Sequence, residues 1–179
     1  MDEFSVIGKR IPRVDGRPKV TGEAKYAADY DLPGMLWCKM VRAPHAHARI
    51  LNIDAGAALR VSGVKGILTA KDFHGWRWGW MPKTRDEAPL AEDKVRYLAE
   101  AVAAVAAVDE DTAEEAADLI KVEYEELPGV FDPEDAMKEG APRIHDHVNN
   151  NLSWEFHMDF GNVDKAFQES YLVREDRFQ

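Results

Sequence analysis

Apolar and polar positions begin to alternate regularly at residue 35. Leu36, Cys38 and Met40 oppose Trp37, Lys39 and Val41 along Met35–Ala43, which is the two-residue period of a strand. Pro44 ends that strand, because proline has no N–H for the ladder. Arg49–Ile53 and Val64–Leu68 read as two further strands. Between them, Asp54 is placed to cap a short helix over Ala55–Leu59, and Gly63 closes the unit. Ala101–Val108 is rich enough in alanine to favour a helix by propensity. Val95, Tyr97, Val102, Val105 and Val108 are β-formers, however. The segment that follows has the clearer helical repeat: Ala113, Ala116, Ala117 and Ile120, behind a cap at Asp111 or Thr112. Two helices with no breaker between them would be odd, so 94–108 is read as a buried strand leading into a capped helix.

Lys121–Glu125 is the next strand. Asp132 or Pro133 opens a short helix to Lys138, which Gly140 stops. Residues 141–153 read as loop. A last helix covers Val163–Ser170. Tyr171–Phe178 reads as a strand cut by the end of the chain, an ending that suggests a truncated protein and leaves an open edge. Two stretches show neither period. Residues 1–34 are punctuated by Pro12, Gly16, Pro18, Gly22, Pro33 and Gly34 and read as an extended arm lying outside the main sheet. Residues 71–93 form an irregular insertion carrying Trp76, Trp78 and Trp80, a length that points to function or to partner contact.

Composition narrows the class. The chain has 179 residues, of which 45% are apolar and 31% charged, as expected of a packed domain with short extensions. No stretch approaches a membrane span, and Met1-Asp2-Glu3 lacks the pattern of a signal peptide. One cysteine, Cys38, rules out an internal disulfide and makes a cytoplasmic location the expectation. Charge is split: residues 1–85 carry 15 basic against 8 acidic side chains, and residues 86–179 carry 8 against 25. So acidic a chain is a poor partner for nucleic acid. The asymmetry suits docking onto a larger assembly, or two differently solvated faces.

Candidate chemistry is sparse. His45 and His47, two apart after Pro44, could face one metal, but no third ligand is evident. His145-Asp146-His147 has the same weakness and reads as exposed polar loop. Glu123, Glu125 and Glu126 read as a solvated strand edge, and Cys38 as a small core hydrophobe. Trp76-Arg77-Trp78-Gly79-Trp80 could anchor a protein contact, stack on a flat ligand or form a local cluster. Arg42 and Arg49 flank one turn and could hold loop carbonyls or a neighbouring acid. There is no phosphate loop, and Gly63-Val64-Lys65-Gly66 is too short to be one. The residues alone give an α+β domain with an arm.

Several segments together resemble a known family. Pro12-Arg13-Val14-Asp15-Gly16, Lys19 through Tyr26, and Asp29 resemble the opening of the molybdenum-binding large subunit of the xanthine dehydrogenase and aldehyde oxidase family. Leu36 through Ile50 resembles its next segment, with Asp54 and Ala57-Ala58 after it. Gly63-Val64, Thr69-Ala70, Lys94 through Tyr97, Val102 through Val105, Val122 through Glu125 and Leu127-Pro128 follow in order. The resemblance implies an α/β-hammerhead domain. The bacterial members similar to 4-hydroxybenzoyl-CoA reductase and carbon monoxide dehydrogenase are nearest in pattern. It implies an arm at 1–34, the hammerhead at 35–140, and at 141–179 a linker and the start of a molybdopterin-binding domain. It also implies a molybdenum cofactor in the complete subunit, with iron–sulfur clusters and FAD on partners. The family's catalytic glutamate and cofactor loops have no counterpart among these residues. No catalytic, cofactor-binding or metal residue is therefore assigned, and the chain alone is expected to be inactive. Ala99 departs from the family's usual glycine; it is strained if that site needs positive φ and harmless otherwise. A stand-alone interaction module is the alternative, self-associating through Tyr171–Phe178 or the Trp76–Trp80 loop.

Overall fold

The computed structural model describes residues 4–80 and 85–178. Positions 81–84 of the tryptophan insertion, and residues 1–3 and 179, lie outside it. The described residues include the strands β1 (Trp37–Arg42), β2 (Ala48–Asp54), β3 (Val64–Thr69), β4 (Lys94–Val95), β5 (Ala101–Ala107) and β6 (Lys121–Glu126). The single strand read over 94–108 is two, β4 and β5, in different sheets, because the backbone breaks between them where Ala99 takes positive φ. The strands form two three-stranded sheets, ordered β1-β5-β3 and β4-β2-β6. In the second, β2 pairs antiparallel with β4, Ala48 opposite Val95 and Arg49 opposite Lys94. Contacts divide the chain into two interleaved compact units. One comprises Met1–Val41, Ile53–Leu68 and Ala103–Lys121; the other comprises Arg42–Asn52, Thr69–Val102 and Val122–Gln179.

The alanine-rich segment is the central strand of the first sheet. Val102, Ala103, Val105 and Ala107 have no exposed surface. A strand covered on both faces reads as a continuous apolar run, so helix propensity is overridden by burial. Helix α2 (Glu110–Asp118) follows, with Ala113, Ala116 and Ala117 buried, and packs against a 3-10 turn at Ala58–Arg60. Its cap is Asp109, earlier than Asp111 or Thr112. The Asp109 carboxylate accepts from the Thr112 N–H at 2.7 Å. The strand ends at Ala107, so Asp109 is the residue free to hold the extended backbone a cap needs. Both the Thr112 side chain and its N–H hold the Asp109 carboxyl below its usual pKa. The stabilisation is therefore present above the unfolded value and lost as pH falls through the lowered one. Asp109→Ala should lower the melting temperature by about 2–4 °C, read by circular dichroism.

Other expectations are corrected. The arm is not extended throughout, because α1 (Gly16–Thr21) interrupts it. Its proline, Pro18, falls in the first turn, where no N–H is required. Gly22 ends it at φ +77°, and Lys19 reaches back to Asp15 at 2.6 Å. The hydrogen bonds from Arg13 and then Lys19 pull the Asp15 carboxyl down to about 2. The turn after Asp54 begins at Ala58, and Asp54 instead accepts from the Gly56 N–H at 2.8 Å. Asp132 caps α3 (Pro133–Ala136), which is shorter than expected, and Asn162 caps α4 (Val163–Glu169). Tyr171–Phe178 is not a strand. It pairs with none of the described strands and is exposed throughout; β-forming composition alone does not dock a strand.

Cys38 is exposed. It is not a core residue: Lys39 and Val41, on the opposite face of β1, are the partly covered ones. Both faces of β1 carry apolar residues, so the alternation does not say which turns inward. The Lys39 ammonium extends to Glu114 on α2 at 2.8 Å.

Candidate functional site

The chemistry-bearing groups gather in the second unit, around a cavity of about 890 Å³ lined in part by Asp86, Arg96, Tyr97, Glu100, His145 and His147. Three segments build it: Arg77 and Trp78 of the insertion, residues 85–100 running from the insertion through β4, and residues 144–153, a loop after α3.

Asn151 fixes that loop. Its side chain accepts from the Ile144 N–H and donates to the Ala136 and Pro142 carbonyls, each at 2.9 Å. Asn150 and Asn151 both sit at positive φ, 59° and 52°, a conformation asparagine tolerates better than most residues. Lys94, buried, bonds the Asp146 carboxylate at 3.0 Å and lowers its pKa. With Asp146 held by Lys94, His145 and His147 turn the other way, toward Asp86. The Asp86 Oδ2 lies 2.9 Å from His145 Nδ1 and 3.5 Å from His147 Nε2. This is the third group the sequence does not reveal, because it comes from the insertion. Burial pushes the His145 pKa down, against the opposing pull of Asp86.

Glu100 closes the other side. Burial pushes its pKa up, and it accepts from the Arg96 N–H. Arg96 pairs with Asp93 at 3.0 Å, and Arg77 pairs with Glu92. Trp78 donates its indole N–H to Glu87 at 2.7 Å and meets Trp76 edge-on at 5.3 Å. Two of the three tryptophans therefore form a local pair, while Trp80 is 95% exposed.

The first histidine pair does not converge. His45 stacks edge-on against Tyr124, with ring centres 5.1 Å apart. His47 is buried and donates from Nδ1 to the Pro128 carbonyl at 2.7 Å. A carbonyl only accepts, so Nδ1 carries the proton, and the buried Nε2 has no partner. Arg42 donates to the Ala99 carbonyl at 3.0 Å, and Arg49 to Glu125 at 3.0 Å. The flanking arginines thus hold one loop carbonyl and one acid. That leaves Glu125 engaged at a solvated edge and Glu123 exposed beside it.

Ala99 stands at φ +65°, so the site does require the left-handed conformation and alanine is strained there. The backbone cannot relax easily. The Ala99 N–H donates to Ala43 at 3.0 Å, and the Ala43 N–H donates to Glu100 at 2.9 Å. Ala99→Gly should stabilise the protein by about 0.5–1 kcal/mol in urea denaturation. Relief of roughly 1–2 kcal/mol of strain exceeds the entropy glycine adds to the unfolded chain.

The aldehyde oxidase and xanthine dehydrogenase a/b hammerhead domain matches residues 21–128. The large molybdopterin subunit of nicotinate dehydrogenase from Eubacterium barkeri is 40% identical over 98% of this chain and 41% of its own length. The carbon monoxide dehydrogenase large chain of Hydrogenophaga pseudoflava is 41% identical over 84% of this chain and 19% of its own length. Among solved structures, the Cu,Mo-CO dehydrogenase in its carbon monoxide reduced state superposes with a TM-score of 0.70 at 37% identity, over 82% of this chain and 19% of that one. The aldehyde oxidoreductase of Desulfovibrio gigas does so with a TM-score of 0.66 at 33% identity, over 76% of this chain and 16% of that one. This chain therefore spans well under half the length of these relatives. On its sequence and its fold alike, it belongs to the aldehyde oxidase and xanthine dehydrogenase family, of which it carries the α/β-hammerhead domain.

Proposed function

We propose that this chain is the N-terminal portion of the large subunit of a molybdenum-dependent oxidoreductase, with a structural and assembly role and no catalysis of its own. One observation carries the reading: nearly the whole chain aligns with less than half of a nicotinate dehydrogenase large molybdopterin subunit. In this reading 1–34 is an arm, 35–140 the hammerhead and 141–179 the approach to the molybdopterin-binding domain. The exposed apolar residues Trp154, Phe156, Met158, Phe160 and Tyr171 support it, since so much exposed apolar surface suits contact with further protein.

The cavity residues do not fit a molybdopterin cofactor. That group is anionic through its phosphate. Carboxylates outnumber guanidinium groups around the cavity, and no glycine lines it to admit a phosphate against the backbone. We therefore place the cofactor entirely on the rest of the subunit, and iron–sulfur clusters and FAD on partner chains. The oxidative direction is favoured over the reductive one of 4-hydroxybenzoyl-CoA reductase, because relatives bear names such as nicotine 6-hydroxylase and carbon monoxide dehydrogenase. A cytoplasmic setting completes the proposal, supported by the single cysteine. No helix among the described residues is long and apolar enough to cross a membrane.

The test is co-purification of the tagged chain from its native cells, with elemental analysis. Large-subunit, flavin and iron–sulfur partners arriving with molybdenum and iron would support the reading. A chain that comes down alone and metal-free would overturn it in favour of a stand-alone interaction module.

A further inference from the structure

We infer that Asp86, His145 and His147 form a zinc-class divalent cation site with one coordination position open to the cavity. Nothing in the proposed role of the chain requires it, and its test is independent of molybdenum. One carboxylate oxygen and two imidazole nitrogens, all within 4.8 Å of one another, make up the donor set. Around zinc, with bonds near 2.1 Å, tetrahedral donors lie about 3.4 Å apart. The two separations from Asp86 Oδ2, 2.9 and 3.5 Å, bracket that spacing. The two ring nitrogens also lie within 4.8 Å of each other, so small movements bring all three ligands onto one ion.

The arrangement is held from outside. His145 and His147 face one way because Asp146, between them, is engaged by buried Lys94. The loop beneath them is tied by Asn151. Ligands held by neighbours in this way lose little freedom on binding metal. Without a cation, Asp86 Oδ2 accepts from His145 Nδ1 at 2.9 Å and lies 3.5 Å from His147 Nε2. With one, each ring carries its proton on the nitrogen turned away and points a lone pair to the metal.

The surrounding charge favours a cation. Glu87, Glu92, Asp93 and Glu100 line the same cavity as Asp86. The two guanidiniums present, Arg77 and Arg96, are each paired with one of those carboxylates. Two imidazoles exclude magnesium and calcium, which take oxygen ligands, and suit zinc. Three protein ligands beside an open cavity is the arrangement that leaves a fourth position for water or an incoming ligand. Bound there, the ion would clip the insertion at Asp86 to the loop at His145.

The experiment is titration of the metal-free, full 179-residue chain with zinc chloride by calorimetry, and with cobalt(II) by visible absorption. One equivalent of each is expected, with the intense d–d bands of tetrahedral cobalt, bleached when zinc is added. His147→Ala and Asp86→Asn should each weaken binding by ~100-fold or more, since even residues behind the ligands cost ~10–100-fold. His157→Ala, at an exposed histidine paired with Glu155, should leave binding unchanged. Asp86→Asn keeps the shape and one acceptor oxygen, so it reports on the site even if a histidine variant unfolds. Failure to saturate at one equivalent, or binding that survives both ligand variants, would overturn the assignment.

Discussion

Replacing Gly63 by alanine should cost about 3–5 kcal/mol, a large part of the roughly 5–15 kcal/mol that holds a domain of this size together. Two effects add. Gly63 has φ +98°, a conformation that L side chains rarely adopt and that costs roughly 1–3 kcal/mol. A Cβ there would also lie 2.9 Å from Val108 Cγ2 and 3.2 Å from Thr112 Cγ2, and overpacking of that kind costs about 1–3 kcal/mol. The backbone has little room to move away, because the Val108 N–H is bonded to the Gly63 carbonyl at 3.1 Å. Urea midpoints of the purified chain measure the loss. Val108→Ala in the same background should recover the larger, Val108 share of the steric part and leave the Thr112 contact and the φ part, so the double-mutant cycle isolates the Val108 clash. A loss below 1 kcal/mol would mean that the turn between the Ala58–Arg60 segment and β3 is far softer than its geometry indicates.

Gly63 also shows what was legible in the sequence. Its position between a turn and an alternating segment marked it as a closing residue, and local rules settle such positions. The same holds for β1, β3 and β6; β5 needed the contrast with the capped helix after it, and for Arg42 and Arg49 only the kind of partner was legible, since Ala99 and Glu125 lie far along the chain. Rules of that kind fail where a choice is not local. Cys38 and Lys39 lie on opposite faces of a strand with apolar residues on both, and only the position of α2, where Glu114 receives Lys39, decides which face is covered. Tyr171–Phe178 has the composition of a strand, yet it pairs with none of the described edges, and composition does not specify pairing. The site is the clearest case. His145 and His147 were visible as a pair, but Asp86, in the insertion, meets them only in the folded chain. No spacing rule links residues that far apart. Ala99 lies between these extremes: the resemblance marked the position, and only the backbone angle decided between strain and indifference.

The second large effect concerns the loop that carries both histidines. Asn151→Ala should destabilise the chain by about 3 kcal/mol. It removes an acceptor for the Ile144 N–H and two donors, to the Ala136 and Pro142 carbonyls. A partly buried hydrogen bond is worth about 1 kcal/mol, and more where its partner is left unsatisfied. Alanine also tolerates φ +52° less well than asparagine does. Two companion variants divide the sum. Asn151→Gly loses the hydrogen bonds but is at ease at positive φ, so it should fall short of the alanine loss by roughly 1 kcal/mol. Asn151→Asp keeps the acceptor for Ile144 while abandoning both carbonyls. The Ile144 amide should then stay protected from hydrogen exchange in Asn151→Asp and exchange freely in Asn151→Ala. If all three variants exchanged alike at Ile144, the loop would be held by Lys94 and Asp146 rather than by Asn151. In that event, the same measurement on Asp146→Ala should release Ile144.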